Sequence, residues 1–365
     1  MHGFLLLGSP LDALECPPYL KMKKEFLLKQ AFNMLTKPAP QTPYQYLAPI
    51  LAERHSSLKL YGEVDVEEWL KPKPVLGGQP VLSQLTMDSL RNFIDSGGCK
   101  AHVEEVKKKA LDILNSKEHP FLIGVDHSAT GGVLEALSEH YGPEDLAVIV
   151  LDYHCDFRPV SLMKKLIEYS LEKRGSHVEL PPRPESYNVG SFLLHLLEDG
   201  VITHENLLIA GVRDYPPKSL KDSRDPRLKE YFQFFEEMTR LGVKVIKHAE
   251  TPTGLKEAVR ELPGSKLYIS LDSDVGVLAS LPATRLAYFL GSEVKAPGLS
   301  EEALHQCSSV LASLVKEKEL VGMDVMELDI YLLSDPSSSA GATTVKNLMM
   351  FFNNLLTISS QGKPS

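Results

Sequence analysis

Seven short runs rich in valine, isoleucine and leucine recur along the chain, at residues 3–8, 121–125, 147–151, 207–212, 243–246, 266–271 and 320–325. Such near-continuous apolar strands offer no polar face to water, so both faces of the sheet they form must be covered. Between most of them lie segments with apolar residues at helical spacing, at 103–114, 227–241, 254–261 and 301–316. Strands alternating with helices indicate parallel pairing, because a parallel crossover needs a long return connection. The pattern predicts a three-layer α/β/α fold with a mainly parallel central sheet. At 365 residues the chain is long enough for one large domain of this kind, and residues 1–365 are read as one.

Two regions fit the alternation less well. Residues 21–88 are rich in proline and show no clear strand series, so they read as a divergent extension or cap within the domain, helical near 23–34. Residues 158–185 carry Lys164, Lys165, Lys173 and Arg174 and end in Pro181-Pro182-Arg183-Pro184. They read as an insertion near the site, either a lid or a solvated helical excursion. The tail 361–365 is expected to be disordered.

The formal net charge of −9 argues against nucleic-acid binding, which needs a basic face, and suits a cationic substrate. The four cysteines, Cys16, Cys99, Cys155 and Cys307, form no CxxC pair, which suggests a reducing compartment. No run approaches the ~20 apolar residues of a membrane span, and the apolar residues 4–7 are too few for a signal segment. A cytoplasmic protein without membrane or nucleic-acid partners is the expectation.

Open parallel sheets bind ligands beyond the carboxyl ends of their strands. Asp126, His127 and Ser128 follow run 121–125. Asp152, His154 and Asp156 follow 147–151, Asp272 and Asp274 follow 266–271, and Glu327 follows 320–325. Side chains two apart leave a strand on one face, so Asp152, His154 and Asp156 aim together if strand geometry persists through them. Cys155 then points away into the core. One such residue is more often a turn or cap residue. Recurrence at four strand ends points instead to a divalent cation, which relieves carboxylates that repel one another. Oxygen and imidazole donors without thiolate favour Mn2+, with Zn2+, Co2+ or Fe2+ as alternatives, and two ions sharing carboxylates would use all six ligands.

These residues also carry a family resemblance. GVDHS at 124–128 is similar to the GGDHS segment of the ureohydrolases, the family of arginase, agmatinase and formiminoglutamase. DYHCD at 152–156 resembles its DAHxD, SLDSD at 270–274 its SxDxD, GVRDY at 211–215 its G-[IL]-R-D strand end, and MDVMELD at 323–329 its VDVVEVNP. Pro282-Ala283-Thr284 and Gly298-Leu299-Ser300 match the PATG and GGLS/T stretches. The resemblance implies an arginase-like fold and a metal-dependent hydrolase of C–N bonds in linear amidines. It implies one metal on His127, Asp152, Asp156 and Asp272, and a second on His154, Asp152, Asp272 and Asp274. Hydroxide between them would attack a guanidinium carbon, giving urea and an amine. Asp274 would orient the hydroxide and pass on its proton, with Asp156 also counted among the catalytic residues. Glu327 would hold the guanidinium, and Asn188, Ser191 and Asp214 would contact substrate. Asp126 would orient His127 or its loop. A homo-oligomer is also implied.

The sequence departs from the family at five places. Val277-Leu278 replace an aspartate usually followed by proline, and Asp329-Ile330 stand where proline follows the guanidinium-binding glutamate. In SYNVGS at 186–191, resembling SGNxHG, Gly190 replaces the histidine proposed as proton shuttle; His177 and His195 are the available substitutes. Residues 158–185 replace a short loop, and Pro216 replaces an aspartate that receives the α-amino group of arginine. An agmatine-like or other guanidino compound is therefore expected over L-arginine. The alternatives are a catalytically silent metal-binding homologue, or a formiminoglutamase- or deacetylase-type amidohydrolase. The tandem His-His pair of the deacetylases is absent.

Overall fold

The structure is a computed structural model that describes residues 3–32, 34, 40–77, 81–176, 179–289 and 296–359. His177 and the tail 361–365 lie outside the described residues. Eight strands build one sheet: β1 (Phe4–Ser9), β2 (Leu58–Glu63), β3 (His119–Gly124), β4 (Leu146–Leu151), β5 (Leu207–Val212), β6 (Lys244–Lys247), β7 (Lys266–Asp272) and β8 (Glu319–Met326). Their order is β2-β1-β3-β8-β7-β4-β5-β6, and every neighbouring pair is parallel.

The sheet is apolar on both faces, as an all-parallel sheet requires. Leu7, Leu122, Val148, Val150 and Ile209 pack into one core, together with Val103 and Val133 from the helices Gly98–Asn115 and Thr130–Tyr141. Leu6, Phe121, Ile149, Leu151 and Leu208 face the other, against Leu311 and Phe352 from the helices Glu301–Leu314 and Ser339–Ser359. Adjacent residues thus enter opposite cores, the period of two that makes three layers.

All seven expected strands are present. The eighth, β2, lies within the region read as an extension or cap, so residues 21–88 supply part of the sheet itself. Among its six residues only Leu58 is fully buried. An edge strand packs little of itself, so its sequence lacks the continuous apolar run that marked the others. The helix expected near 23–34 runs earlier, over Pro17–Ala31, with proline in its first turn.

In the strand order, β3, β8, β7 and β4 are consecutive and central. These are the four strands whose ends carry the candidate ligands, so the topology brings those ends side by side.

Candidate metal centre

β4 ends at Leu151, and the chain then leaves strand geometry. Simple alternation therefore does not aim Asp152, His154 and Asp156. The segment is held from β5 instead: Asp152 N–H donates to the Ala210 carbonyl and Arg213 N–H to the Tyr153 carbonyl, both at 2.9 Å. Gly211, at φ +105°, lets the strand come so close that a Cβ there would stand 2.8 Å from the Asp152 carbonyl oxygen. Asp156 has φ +45° and Glu327 φ +57°. Left-handed backbone is costly for a side-chain-bearing residue and concentrates at functional sites.

The six expected ligands fall into two overlapping groups. His127, Asp152, Asp156 and Asp272 converge in one; Asp152, His154 and Asp274 converge in the other. His127 Nδ1 lies 3.0 Å from Asp272 Oδ2, 3.2 Å from Asp156 Oδ2 and 3.4 Å from Asp152 Oδ2. His154 Nδ1 lies 2.9 Å from Asp274 Oδ2 and 3.8 Å from Asp152 Oδ1. Asp152 is the shared ligand. Asp272, expected to be shared as well, belongs only to the first group. Its Oδ1 accepts the Asp274 N–H at 2.7 Å and caps the turn Ser273–Gly276.

The orientation of His127 follows from hydrogen counting. The Ser270 hydroxyl donates to Asp324 Oδ1 at 2.7 Å. Its oxygen then accepts from His127 Nε2–H at 2.9 Å, and Nδ1 faces the carboxylates. Asp324 also accepts from the Tyr268 and Thr130 hydroxyls at 2.6 and 2.7 Å. Outer partners of this kind fix ring and tautomer at metal-binding histidines. Sequence reasoning gave Asp324 and Ser270 no role, although a carboxylate inside an apolar central strand is itself a signal. Asp126 accepts the Ser128 N–H and hydroxyl at 3.1 and 2.6 Å and so caps the turn His127–Ala129.

The charges fit a cation. Burial drives the Asp152 and Asp272 carboxyls well above the ordinary range, and neighbouring aspartates add to it. Burial alone would lower His127 and His154; the facing aspartates reverse this and hold both imidazoles well above normal. Asp152 Oδ2 is buried and makes no hydrogen bond. A group of acids that share protons with imidazoles, with one carboxylate oxygen left over, is what divalent cations would satisfy.

The centre opens into a cavity of about 460 Å³ whose lining includes His154, Asp156, Asp272, Asp274, Asn188 and Glu327. Residues 158–185 supply much of one wall, including Arg158, Met163, Ile167 and Leu180, so this segment is part of the cavity. Arg183 ties it down, donating to Asp95 at 2.7 Å and Glu15 at 2.7 Å. The Asn188 side chain is spent on its own loop, donating to the Ser186 carbonyl at 2.8 Å and accepting the Gly190 N–H at 2.9 Å. Ser191 and Asp214 are not among the lining residues. The Ser191 hydroxyl donates to the Ser186 carbonyl at 2.9 Å, and Asp214 pairs with Arg158 at 2.9 Å. His195 also stays out of the lining and stacks near Tyr187 at 5.5 Å. Cys155 is fully buried, as expected.

Glu327 does enter the cavity, but its carboxylate is engaged. Arg285 donates Nε to Oε2 at 2.8 Å and Nη2 to Oε1, while His127 N–H donates to Oε1 at 3.2 Å. Arg285 was not singled out from the sequence. The signal was present, because it follows Pro282-Ala283-Thr284 where the matching PATG segment has glycine.

Fold and centre together define an α/β protein with a cavity at the carboxyl edge of its sheet, beside two overlapping His/Asp groups that could each hold a metal ion. The chain belongs to the arginase family, whose pattern matches residues 48–351. That family consists of metal-dependent hydrolases with binuclear centres. Proclavaminate amidinohydrolase from Streptomyces clavuligerus is 29% identical over 231 residues, 62% of this chain and 59% of that relative's length. An agmatinase from Bacillus cereus is 22% identical over 255 residues, 70% of this chain and 71% of the relative. The arginase from Bacillus caldovelox superimposes with a TM-score of 0.59 at 17% identity, covering 96% of this chain and 98% of that one, which establishes the shared fold.

Proposed function

We propose that this protein hydrolyses a C–N bond in a linear amidine, a class that includes guanidino and formimino compounds. The observation that carries this reading is the pair of ligand groups joined at Asp152, beside a cavity that His154, Asp156, Asp272 and Asp274 line. His127, Asp152, Asp156 and Asp272 would hold one ion; Asp152, His154 and Asp274 would hold the other. When bound, such a pair supplies Lewis acidity and lowers the pKa of coordinated water. Mn2+ is the proposed ion, on the basis of oxygen and imidazole donors without thiolate.

The protein's own groups supply the rest. Asp274 keeps Oδ1 on the Tyr153 N–H at 3.1 Å and Oδ2 on His154 at 2.9 Å. Burial would raise this carboxyl, yet the His154 charge keeps it below its ordinary value, so it stays ionised, and it would take a proton only from water whose own pKa bound ions had lowered. From there the proton would pass to the leaving amine.

The agmatine-like preference expected from sequence rested on Pro216 and the segment 158–185, with Glu327 pairing the guanidinium. Arg285 and Arg158 stand instead beside Glu327 and Asp214. That observation favours a second reading, a metal-binding homologue without catalysis. Mn2+-loaded protein incubated with agmatine, 4-guanidinobutyrate and a formimino amino acid, assayed for urea and formamide, separates the two. Metal-dependent product that disappears in Asp274→Asn is expected. Two ions bound per chain with no product from any of the three compounds would favour the silent reading.

A further inference from the structure

Glu327 demonstrates in this structure that it can grip a guanidinium group, because it already holds one. Both oxygens are taken by Arg285, through Nε at 2.8 Å and through Nη2, and Oε1 also accepts the His127 N–H. Arg285 is 1% exposed, so this is a buried two-donor pair and no surface contact. Nor is the arginine a loose plug. Its Nη1 donates to Asp12 Oδ1 at 2.9 Å, and Asp12 is paired with Lys23 at 2.8 Å, all of them buried. Lys23 in turn comes from the helix Pro17–Ala31. A chain of alternating charges therefore anchors Arg285 from the side opposite Glu327. Arg285 and Glu327 both line the same cavity as Asp156, Asp272 and Asp274.

We propose that Arg285 is a specificity-determining residue: its guanidinium permanently fills the Glu327 clamp, and so turns guanidinium compounds away from the metal centre. Two physical effects act together. An incoming guanidinium meets a like charge already in place. It also brings donors that need acceptors when desolvated, and the carboxylate that would serve them is occupied. An amidine whose reactive carbon carries only two nitrogens brings fewer such donors. An amidinium is a cation too, so the charge effect acts on both classes, and the smaller demand for acceptors is what favours the two-nitrogen amidine over the three-nitrogen guanidine. This selection rests on the hydrolase reading above, but the occupancy of the clamp does not.

The test therefore reads binding first and turnover second. Full-length Mn2+-loaded wild type, Arg285→Gly and Arg285→Lys are titrated by calorimetry with methylguanidinium and agmatine, with butylammonium as a cation lacking the guanidinium group. Wild type is expected to show no saturable guanidinium binding. Arg285→Gly should bind both guanidinium compounds saturably, and roughly tenfold or more tightly than it binds butylammonium. It should also gain urea release from agmatine, which an arginine of merely structural importance would not control. Arg285→Lys keeps a cation opposite Glu327 and should stay closed. Saturable agmatine binding by wild type would overturn the proposal and needs no variant. A folded Arg285→Gly, judged by circular dichroism and melting, that gains no guanidinium affinity would overturn it too. Absence of turnover in every sample, with the binding pattern as expected, would count against the hydrolase reading alone.

Discussion

Ser270 has one hydroxyl hydrogen, and Asp324 takes it at 2.7 Å. The tautomer of His127 at the metal centre therefore depends on a residue that touches no ligand position. Ser270→Ala should leave the fold intact and weaken metal binding about 10–100-fold. Metal titration would check this, and unchanged affinity would mean that His127 is oriented by its aspartates alone. Asp329 gives a second prediction of this kind. Its Oδ1 accepts the Leu332 N–H at 2.7 Å and the Tyr288 hydroxyl at 3.2 Å, while Oδ2 is buried without a hydrogen bond. Burial pushes this carboxyl up from 3.8 to about 6. The folded protein thus binds the proton more tightly than the unfolded chain, and ionisation costs stability as pH rises from 3.8 to about 6. Asp329→Asn keeps the acceptor and removes the charge. Relative to wild type it should gain roughly 3 kcal/mol by pH 7 and little at pH 4, read from urea unfolding at both values. At this scale the sequence was legible where residue type declares chemistry: all six residues of the two candidate ligand groups were nameable in advance. Arg285, Ser270 and Asp324 were not, because their roles depend on partners 42, 143 and 54 positions away.

The segment 158–185 shows the same limit for elements. Its basic, proline-ended sequence was compatible with a lid but read more readily as a solvated excursion, and only contacts distinguish them. The helix Val160–Lys173 buries Leu162 alone, and Arg183 supplies ion pairs to Asp95 and Glu15. Partly exposed pairs contribute little to global stability. Arg183→Ala should therefore change the free energy of unfolding by less than about 1 kcal/mol, yet raise the rate of protease cleavage within this segment. An unchanged cleavage pattern would show that packing around Leu162 holds the wall without Arg183. β2 was missed for a related reason. A strand is legible from sequence in proportion to what it buries, and this one sits at the edge beside β1 with most of its residues open to solvent. Central strands, buried on both faces, declared themselves.

Taken whole, the molecule places its most expensive residues where the four central strands of an eight-stranded parallel sheet deliver them together. The fold class was readable because burial of both sheet faces leaves continuous apolar runs, whereas strand order and the identity of the shared ligand are properties of the assembled sheet. Asp152, at the end of β4, reaches both ligand groups; Asp156 reaches one. Metal removal should then act on the whole protein, because ions that bind only the folded chain stabilise it by about 2.7 kcal/mol per site at 100 times the dissociation constant. Chelation should lower the melting temperature of wild type, and added Mn2+ should restore it. Asp156→Asn weakens one group and should retain part of that response, with about one ion per chain by elemental analysis. Asp152→Asn cuts the ligand common to both and should lose most of the response and both ions. If Asp152→Asn still carries two ions and melts as metal-loaded wild type does, the groups are independent and the bridging role of Asp152 is wrong. If it loses both while Asp156→Asn loses one, a single carboxylate couples the two sites, and through them the stability of the sheet edge that holds it.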